Sequence, residues 1–165
     1  VLQALQLLKR DGFVKEAGGR GVMVAPLTVE HTANLYQVRS VLDGLAAREA
    51  ARRNVTLSPA LLAMGREATR NNDITAMIDA DFAFHHAIYD AANNSLLSAS
   101  AAHHWGHIRR VMGAVLRVLN SRAEIWDEHE AIFNAINSHN PELAQQLAVR
   151  HCEAAGENYC RLMAT

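Results

Sequence analysis

The chain has 165 residues, of which 50% are hydrophobic and 5% aromatic, and its formal net charge at pH 7 is −1. This profile predicts a helical globular protein with a sizeable core, and it excludes a chain that is strongly basic along its whole length. The charge is uneven, because residues 1–25 have a balance of +2 and the rest of the chain therefore −3.

Residues 1–25 predict one helix followed by a small β-hairpin. Apolar residues recur with helical spacing over positions 1–10, and the helix is expected to end at Asp11-Gly12. Apolar runs on both sides of the segment Gly18-Gly19-Arg20-Gly21 predict the hairpin. Because the chain starts inside a helix and without methionine, we interpret this part as the end of a truncated domain, with a boundary near Pro26.

Residues 26–165 predict six amphipathic helices joined by short connections. Helix starts are indicated by capping residues or by proline, for example at Thr28, Asp73, Asn94 and Asn140-Pro141. Long helices with connections of a few residues imply an antiparallel bundle. The sequence therefore predicts an all-α fold in which a six-helix domain follows the partial domain of residues 1–25. The expected helices cover about 28–53, 58–70, 73–92, 94–119, 121–138 and 140 to the end of the chain.

Four polar side chains fall on the apolar stripes of these helices. Asp81 and His85 are spaced i, i+4 on one helix, whereas His129 and His151 lie on the last two. A buried carboxylate or imidazole needs a partner, because burying it unpaired is costly. A divalent metal would serve all four residues at once. Three nitrogens and one oxygen suit zinc or nickel, with open positions for water or a ligand carboxylate.

The positions of His129 and His151 support this interpretation. Each lies eleven residues from position 140, where the turn between the last two helices is expected. In an antiparallel hairpin both would stand roughly 16 Å above the turn, at the same height. The alternative is that each histidine is a core or surface residue with its own partner.

Other histidines and one cysteine are not included in the predicted site. His103 and His107 are also spaced i, i+4, but their polar surroundings predict an exposed face. His86 points about 100° away from His85 on the helix. Cys152 follows His151 and is likewise expected to face elsewhere. Cys152 and Cys160 are too far apart on one helix to form a disulfide, and unpaired thiols without a signal peptide or long apolar run predict a cytoplasmic protein without a membrane partner.

Arg39 lies at the edge of the inward face of the first long helix. One interpretation is an ion pair with Asp43, four residues later. The other is that its guanidinium holds the carboxylate of a bound ligand above the metal.

Together these residues resemble a known pattern, that of the GntR-family transcriptional regulators of the FadR type. Their C-terminal effector domain, the FCD domain, is an all-helical bundle. The matching segments are Asp81-Phe82-Ala83-Phe84-His85, Asn94-Ser95-Leu96-Leu97, His129 to Ile136, Ala144 to His151, and Arg39 to Asp43, where Asp43 replaces the usual glutamate.

The start of the chain carries a second part of the resemblance. Residues 1–14 resemble the recognition helix and following turn of the family's winged helix-turn-helix domain, and residues 19–24 resemble its wing. Leu2 stands where the family commonly has an arginine used at the DNA. Gln3, Gln6 and Arg20 remain as candidate DNA-facing residues, since polar side chains suit a helix in the major groove.

The resemblance implies a homodimeric, non-enzymatic transcriptional regulator that binds operator DNA. A small organic acid would bind the metal and, through Arg39, the protein, and would change operator binding through the linker near Pro26. Three alternatives stay open at this point. They are a metal-dependent hydrolase, a direct metal sensor, and a bundle that serves only for dimerisation.

Overall fold

The computed structural model describes residues 2–19, 21–119 and 122–164. Helix α1 (Leu2–Arg10) is followed by the antiparallel strands β1 (Val14–Ala17) and β2 (Gly21–Val24). Six longer helices then form the bundle. The predicted all-α fold, with one helix and a small hairpin ahead of a six-helix bundle, is confirmed. The bundle helices are α2 (Val29–Arg52), α3 (Ala60–Arg70), α4 (Ile74–Ala92), α5 (Ser95–Val115), α6 (Ala123–Asn137) and α7 (Pro141–Met163).

Four of these helices begin at the capping residues that the sequence indicates. The side chains of Thr28, Asp73, Asn94 and Asn140 each accept a hydrogen bond from a backbone amide of the first turn, at 3.0 to 3.2 Å. These bonds satisfy amides that have no partner within the helix.

Helix α5 is shorter than the sequence predicts, because it ends at Val115 and not near Leu119. The amides of Val118 and Leu119 both bond to the carbonyl of Val115, at 3.0 and 3.1 Å. The chain therefore tightens into a turn after Val115. This turn places Val118 and Leu119 beside the cavity described below.

Helices α2 and α7 pack closely because glycines lie at their contact. A Cβ atom on Gly44 would lie 2.6 Å from Cγ2 of Val149, and one on Gly156 would lie 2.7 Å from Cβ of Tyr36. No side chain fits in these gaps without displacing its neighbour. The close approach brings the inward face of α2, which carries Arg39 and Asp43, against the face of α7 that carries His151.

The segment before the bundle packs on helix α5. The Phe13 ring stacks on His107 with a centroid distance of 4.2 Å, and Nε2 of His107 lies 2.7 Å from the carbonyl oxygen of Asp11. Arg110 donates to the carbonyl of Ala25 at 2.5 Å. The expectation that His107 is exposed is therefore wrong, because the partial winged domain covers it.

Within the described part of the chain, no helix is long and apolar enough to cross a membrane.

Candidate metal centre

The four side chains singled out from the sequence come together in the interior of the bundle. Helix α4 contributes Asp81 and His85, α6 contributes His129, and α7 contributes His151, and all four are buried. One ligand atom of each lies within 4.8 Å of the others. Nε2 of His129 is 3.2 Å from Nε2 of His85 and 3.1 Å from Nε2 of His151. An oxygen of Asp81 is 3.5 Å from Nε2 of His129 and 3.7 Å from that of His85.

The outer partners of two histidines fix which ring nitrogen carries the proton. Nδ1 of His85 lies 3.0 Å from a carboxylate oxygen of Asp43, and Nδ1 of His151 lies 2.6 Å from one of Glu128. A carboxylate only accepts hydrogen bonds, so each Nδ1 is the protonated nitrogen. The Nε2 atoms of His85 and His151 therefore present lone pairs toward His129 and Asp81.

This donor set fits a cation better than it fits a hydrogen-bond network. Two lone pairs and a carboxylate oxygen converge on Nε2 of His129, which can offer one proton at most. Nitrogens bound to one zinc ion in a tetrahedron stand about 3.3 Å apart, close to the observed separations. Histidine ligands also usually donate their second N–H to a carboxylate, as His85 and His151 do. Nδ1 of His129 has no hydrogen-bond partner among the described residues.

Burial keeps two of these imidazoles neutral, which is the form that binds metals. Burial, and after it the neighbouring His151 and His85, holds the pKa of His129 well below its ordinary value. Burial, and after it the charge of Arg39, also lowers the pKa of His85.

Asp43 lies outside the four-residue cluster but hydrogen-bonds to one of its histidines. One of its oxygens accepts from Nε of Arg39 at 3.1 Å, from Nδ1 of His85 at 3.0 Å and from the thiol of Cys152 at 3.0 Å. The other accepts from the hydroxyl of Tyr89. Burial opposes ionisation of Asp43, but His85 and Arg39 outweigh it and hold the pKa of its carboxyl group well below the ordinary value. Asp43 therefore stays charged and orients His85.

The expectation that Cys152 faces elsewhere is wrong. Cys152 does not face away from the site, because it is buried and donates to Asp43, although it contributes no ligand atom to the cluster. Glu128 was not singled out from the sequence, yet its carboxylate contacts His151. Its side chain is 48% exposed, so no apolar stripe could have indicated it. His86 is not in the cluster and its side chain is 45% exposed.

Of the two roles considered for Arg39 from the sequence, the ion pair with Asp43 is present, whereas its contact with a ligand carboxylate stays a prediction. Arg39 pairs with Asp43, and its Nη2 also lies 3.4 Å from Oδ2 of Asp81. Its guanidinium lies 5.0 Å from the ring centre of Trp105. Arg39 is therefore a buried, fully engaged cation beside the cluster.

A cavity of about 370 Å³ opens next to the cluster. Arg39, Asp81 and His151 form its inner end. The remaining wall is partly apolar and partly polar, and it is formed by Val118, Leu119, Glu124, Ile125, Glu128, Ala154, Ala155, Asn158, Tyr159 and Leu162. A small molecule in this cavity would contact the same residues that would hold the metal.

The Glu128→Gln variant is expected to bind zinc or nickel about tenfold more weakly, because the amide orients His151 less strongly than the carboxylate does. The half-exposed position makes misfolding an unimportant factor. Competition titration with a chromogenic chelator measures the change. Glu153→Gln, at an exposed position of the same bundle on α7, is the control and should leave the affinity unchanged. Equal affinities of both variants would contradict the assigned role of Glu128.

Two of the candidate DNA-facing residues are described. Gln3 and Gln6 are exposed on α1 and three residues apart, hence on one face. Arg20, the third candidate, lies outside the described residues. The assignment of all three to DNA stays a prediction.

Known proteins are similar to this chain over most of its length. The FCD domain family matches residues 34–154. The HTH-type transcriptional regulator YdhC of Bacillus subtilis is 27% identical over 162 residues, covering 92% of this chain and 70% of that protein. The HTH-type transcriptional regulator LutR of the same organism is 28% identical over 183 residues, covering 92% and 79%.

Solved structures agree on the fold. E. coli McbR/YncC superposes with a TM-score of 0.82 at 17% identity, over 98% of this chain and 84% of that one. A transcriptional regulator GntR from Rhodococcus sp. RHA1 has a TM-score of 0.76 at 24% identity, over 96% and 77%. The curated relatives are transcriptional regulators and not enzymes, which agrees with the prediction from the sequence. The chain belongs to the FCD-domain transcriptional regulators of the GntR family, of the FadR type.

Proposed function

We propose that this regulator senses a small carboxylate through a divalent metal, and that the carboxylate changes operator binding by a homodimer. The observation that carries the proposal is the convergence of unprotonated nitrogens and a carboxylate oxygen at the inner end of a cavity. Asp81, His85, His129 and His151 would hold zinc or nickel. The bound ion would supply a Lewis-acidic position for a carboxylate oxygen.

Arg39 is positioned to act as the second anchor of the carboxylate. It lies at the inner end of the cavity, and its guanidinium is planar and permanently charged. Because it already contacts Asp43 and Asp81, an incoming carboxylate would compete with Asp81 for it. Asp81 is also a metal ligand in this proposal, so binding of the acid and geometry at the metal would be linked.

Helix α5 connects this site with the partial winged domain. Trp105 lies close to Arg39 and has its ring centre 5.8 Å from that of His85. The next two residues contact the winged segment, since a Cβ on Gly106 would lie 2.4 Å from Phe13 and His107 stacks on the same ring. A shift of Trp105 on acid binding would therefore move the surface on which the winged segment packs.

Calorimetric titration tests the proposal directly. Metal-loaded chain is expected to bind acetate, the simplest carboxylate, at least about tenfold more tightly than chelator-stripped chain, because the acid needs the ion as its partner. Equal affinities in the two forms would overturn the proposal.

Hydrogen exchange tests the connection through α5. Addition of metal and acid should change the amide protection of residues 11–25, and Phe13→Ala should remove this response although the acid still binds the metal-loaded chain. If metal alone produces the full change, the chain is a direct metal sensor. Glu128 would supply the carboxylate beside the metal that a hydrolase needs as a general base. The curated relatives are transcriptional regulators, however, which disfavours the enzymatic alternative.

Three parts of the proposal rest on the sequence and the family. The homodimer and the operator contacts of Gln3, Gln6 and Arg20 are expected from the family. The division into a DNA-binding part at 1–25 and an effector part at 26–165 follows the sequence pattern. The cytoplasmic location is expected from the cysteines, which are both unpaired.

A further inference from the structure

The outer wall of the cavity next to the cluster is acidic. Glu124 and Glu128 lie one turn apart on α6, and both line the same cavity as Arg39, Asp81 and His151. Glu128 contacts His151, whereas Glu124 has no hydrogen bond or ion pair among the described residues. Arg39 is the one lysine or arginine in the described lining. The cavity is therefore cationic at its inner end only when a metal is present.

Charge balance at the inner end sets the charge of the ligand that fits there, given the proposed metal site. A divalent ion with the carboxylate of Asp81 and three neutral imidazoles leaves one positive charge. Arg39 and Asp43 cancel each other. One ligand carboxylate therefore neutralises the inner end, and a second would face Glu124 and Glu128. The described lining of this cavity holds no lysine or arginine at that end, and Arg150 lines a neighbouring cavity with the same two glutamates.

The space between the two ends suits a short aliphatic chain. The whole cavity has a volume of about 370 Å³, which corresponds to roughly a dozen water molecules. Apart from Asn158 and Tyr159, the other lining side chains are apolar, and so favour methylene groups over polar ones. These side chains are Val118, Leu119, Ile125, Ala154, Ala155 and Leu162.

We propose that the effector is a short monocarboxylate with a cationic nitrogen at its far end, and that Glu124 selects it. The carboxylate would bind the metal, the methylene chain would lie along the apolar wall, and the ammonium group would meet Glu124. This inference rests on the proposed function, because it needs the metal to hold the carboxylate.

Three acids of five carbons test the selection with chain length held constant. Pentanoate, 5-aminopentanoate and glutarate have a methyl group, an ammonium group and a carboxylate at the far end. With cobalt-loaded protein, the visible absorption of the ion reports binding of each acid. 5-Aminopentanoate is expected to bind about tenfold more tightly than glutarate, with pentanoate between them, because like charges repel at the glutamate wall.

The Glu124→Gln variant is expected to bring the affinities of 5-aminopentanoate and glutarate to within about threefold of each other. Glu153→Gln, on an exposed face outside the cavity lining, is the matched control and should keep the tenfold difference. The inference is overturned if glutarate binds as tightly as 5-aminopentanoate, if Glu124→Gln keeps the difference, or if acetate binds and none of the three acids does. If acetate also fails to bind the metal-loaded protein, the proposed function itself is wrong.

Discussion

The His129→Ala variant is expected to lose at least about a hundredfold in affinity for zinc or nickel. His129 is completely buried, and its Nε2 is the atom nearest to both other imidazoles. Even outer partners of metal ligands typically account for a 10- to 100-fold change, so removal of the central ligand should reach at least the upper end. Metal content after dialysis and competition titration measure the loss.

A second readout of the same variant is thermal unfolding with and without metal. An ion that binds only the folded chain, at a free concentration a thousand times its dissociation constant, stabilises the chain by about 4 kcal/mol. The wild-type chain should therefore unfold at a higher temperature after metal is added, whereas His129→Ala should show almost no increase.

His86→Ala is the matched control for His129→Ala. His86 is adjacent to a predicted ligand in the sequence, but its half-exposed side chain pairs with Asp90 and packs beside the Phe82 ring, outside the cluster. This variant should bind metal with wild-type affinity and show the full stabilisation. Unchanged metal affinity of His129→Ala would rule out the four-ligand site.

The positions of the four clustered residues could be predicted because helix periodicity and turn position are local information. The spacing of Asp81 and His85 places them on one face, and equal distances from the Asn140 turn place His129 and His151 at one height. The N-terminal caps of α2, α4, α5 and α7 could be predicted for the same reason, since each capping side chain bonds to an amide within three residues.

The residues around the cluster were less accessible to sequence reasoning, because they depend on contacts between distant segments. Asp43 meets His85 and Cys152 only after α2, α4 and α7 have packed. His107 is polar and lies in a polar sequence, yet it is covered by residues almost a hundred positions earlier. The sequence did not indicate that Glu124 and Glu128 line a cavity, because exposed glutamates are common on helices.

Gly65→Ala is expected to destabilise the chain by about 2 to 3 kcal/mol, despite the better helix propensity of alanine. A Cβ on Gly65 would lie 1.8 Å from Cζ2 of Trp126, so the indole must move. Overpacking of a core typically costs about 1 to 3 kcal/mol, and here the displaced group is large and buried. Denaturant unfolding of the metal-free chain measures the free energy of unfolding.

Gly113→Ala is the matched control, because it makes the same substitution inside another helix of the bundle. A Cβ on Gly113 meets nothing closer than Cδ1 of Ile78, at 3.9 Å, which is an ordinary contact. This variant should gain up to about 1 kcal/mol from helix propensity. The difference between the two variants therefore isolates the displacement of Trp126.

The same pair of variants tests how the metal centre is supported. The ring centre of Trp126 lies 4.6 Å from that of His129, and no hydrogen bond holds Nδ1 of that histidine within the described part of the chain. Packing against Trp126 and Phe84 therefore has to orient the imidazole. Gly65→Ala should lower metal affinity about tenfold and Gly113→Ala should not change it. If Gly65→Ala destabilises the chain but keeps full metal affinity, the orientation of His129 does not depend on the indole.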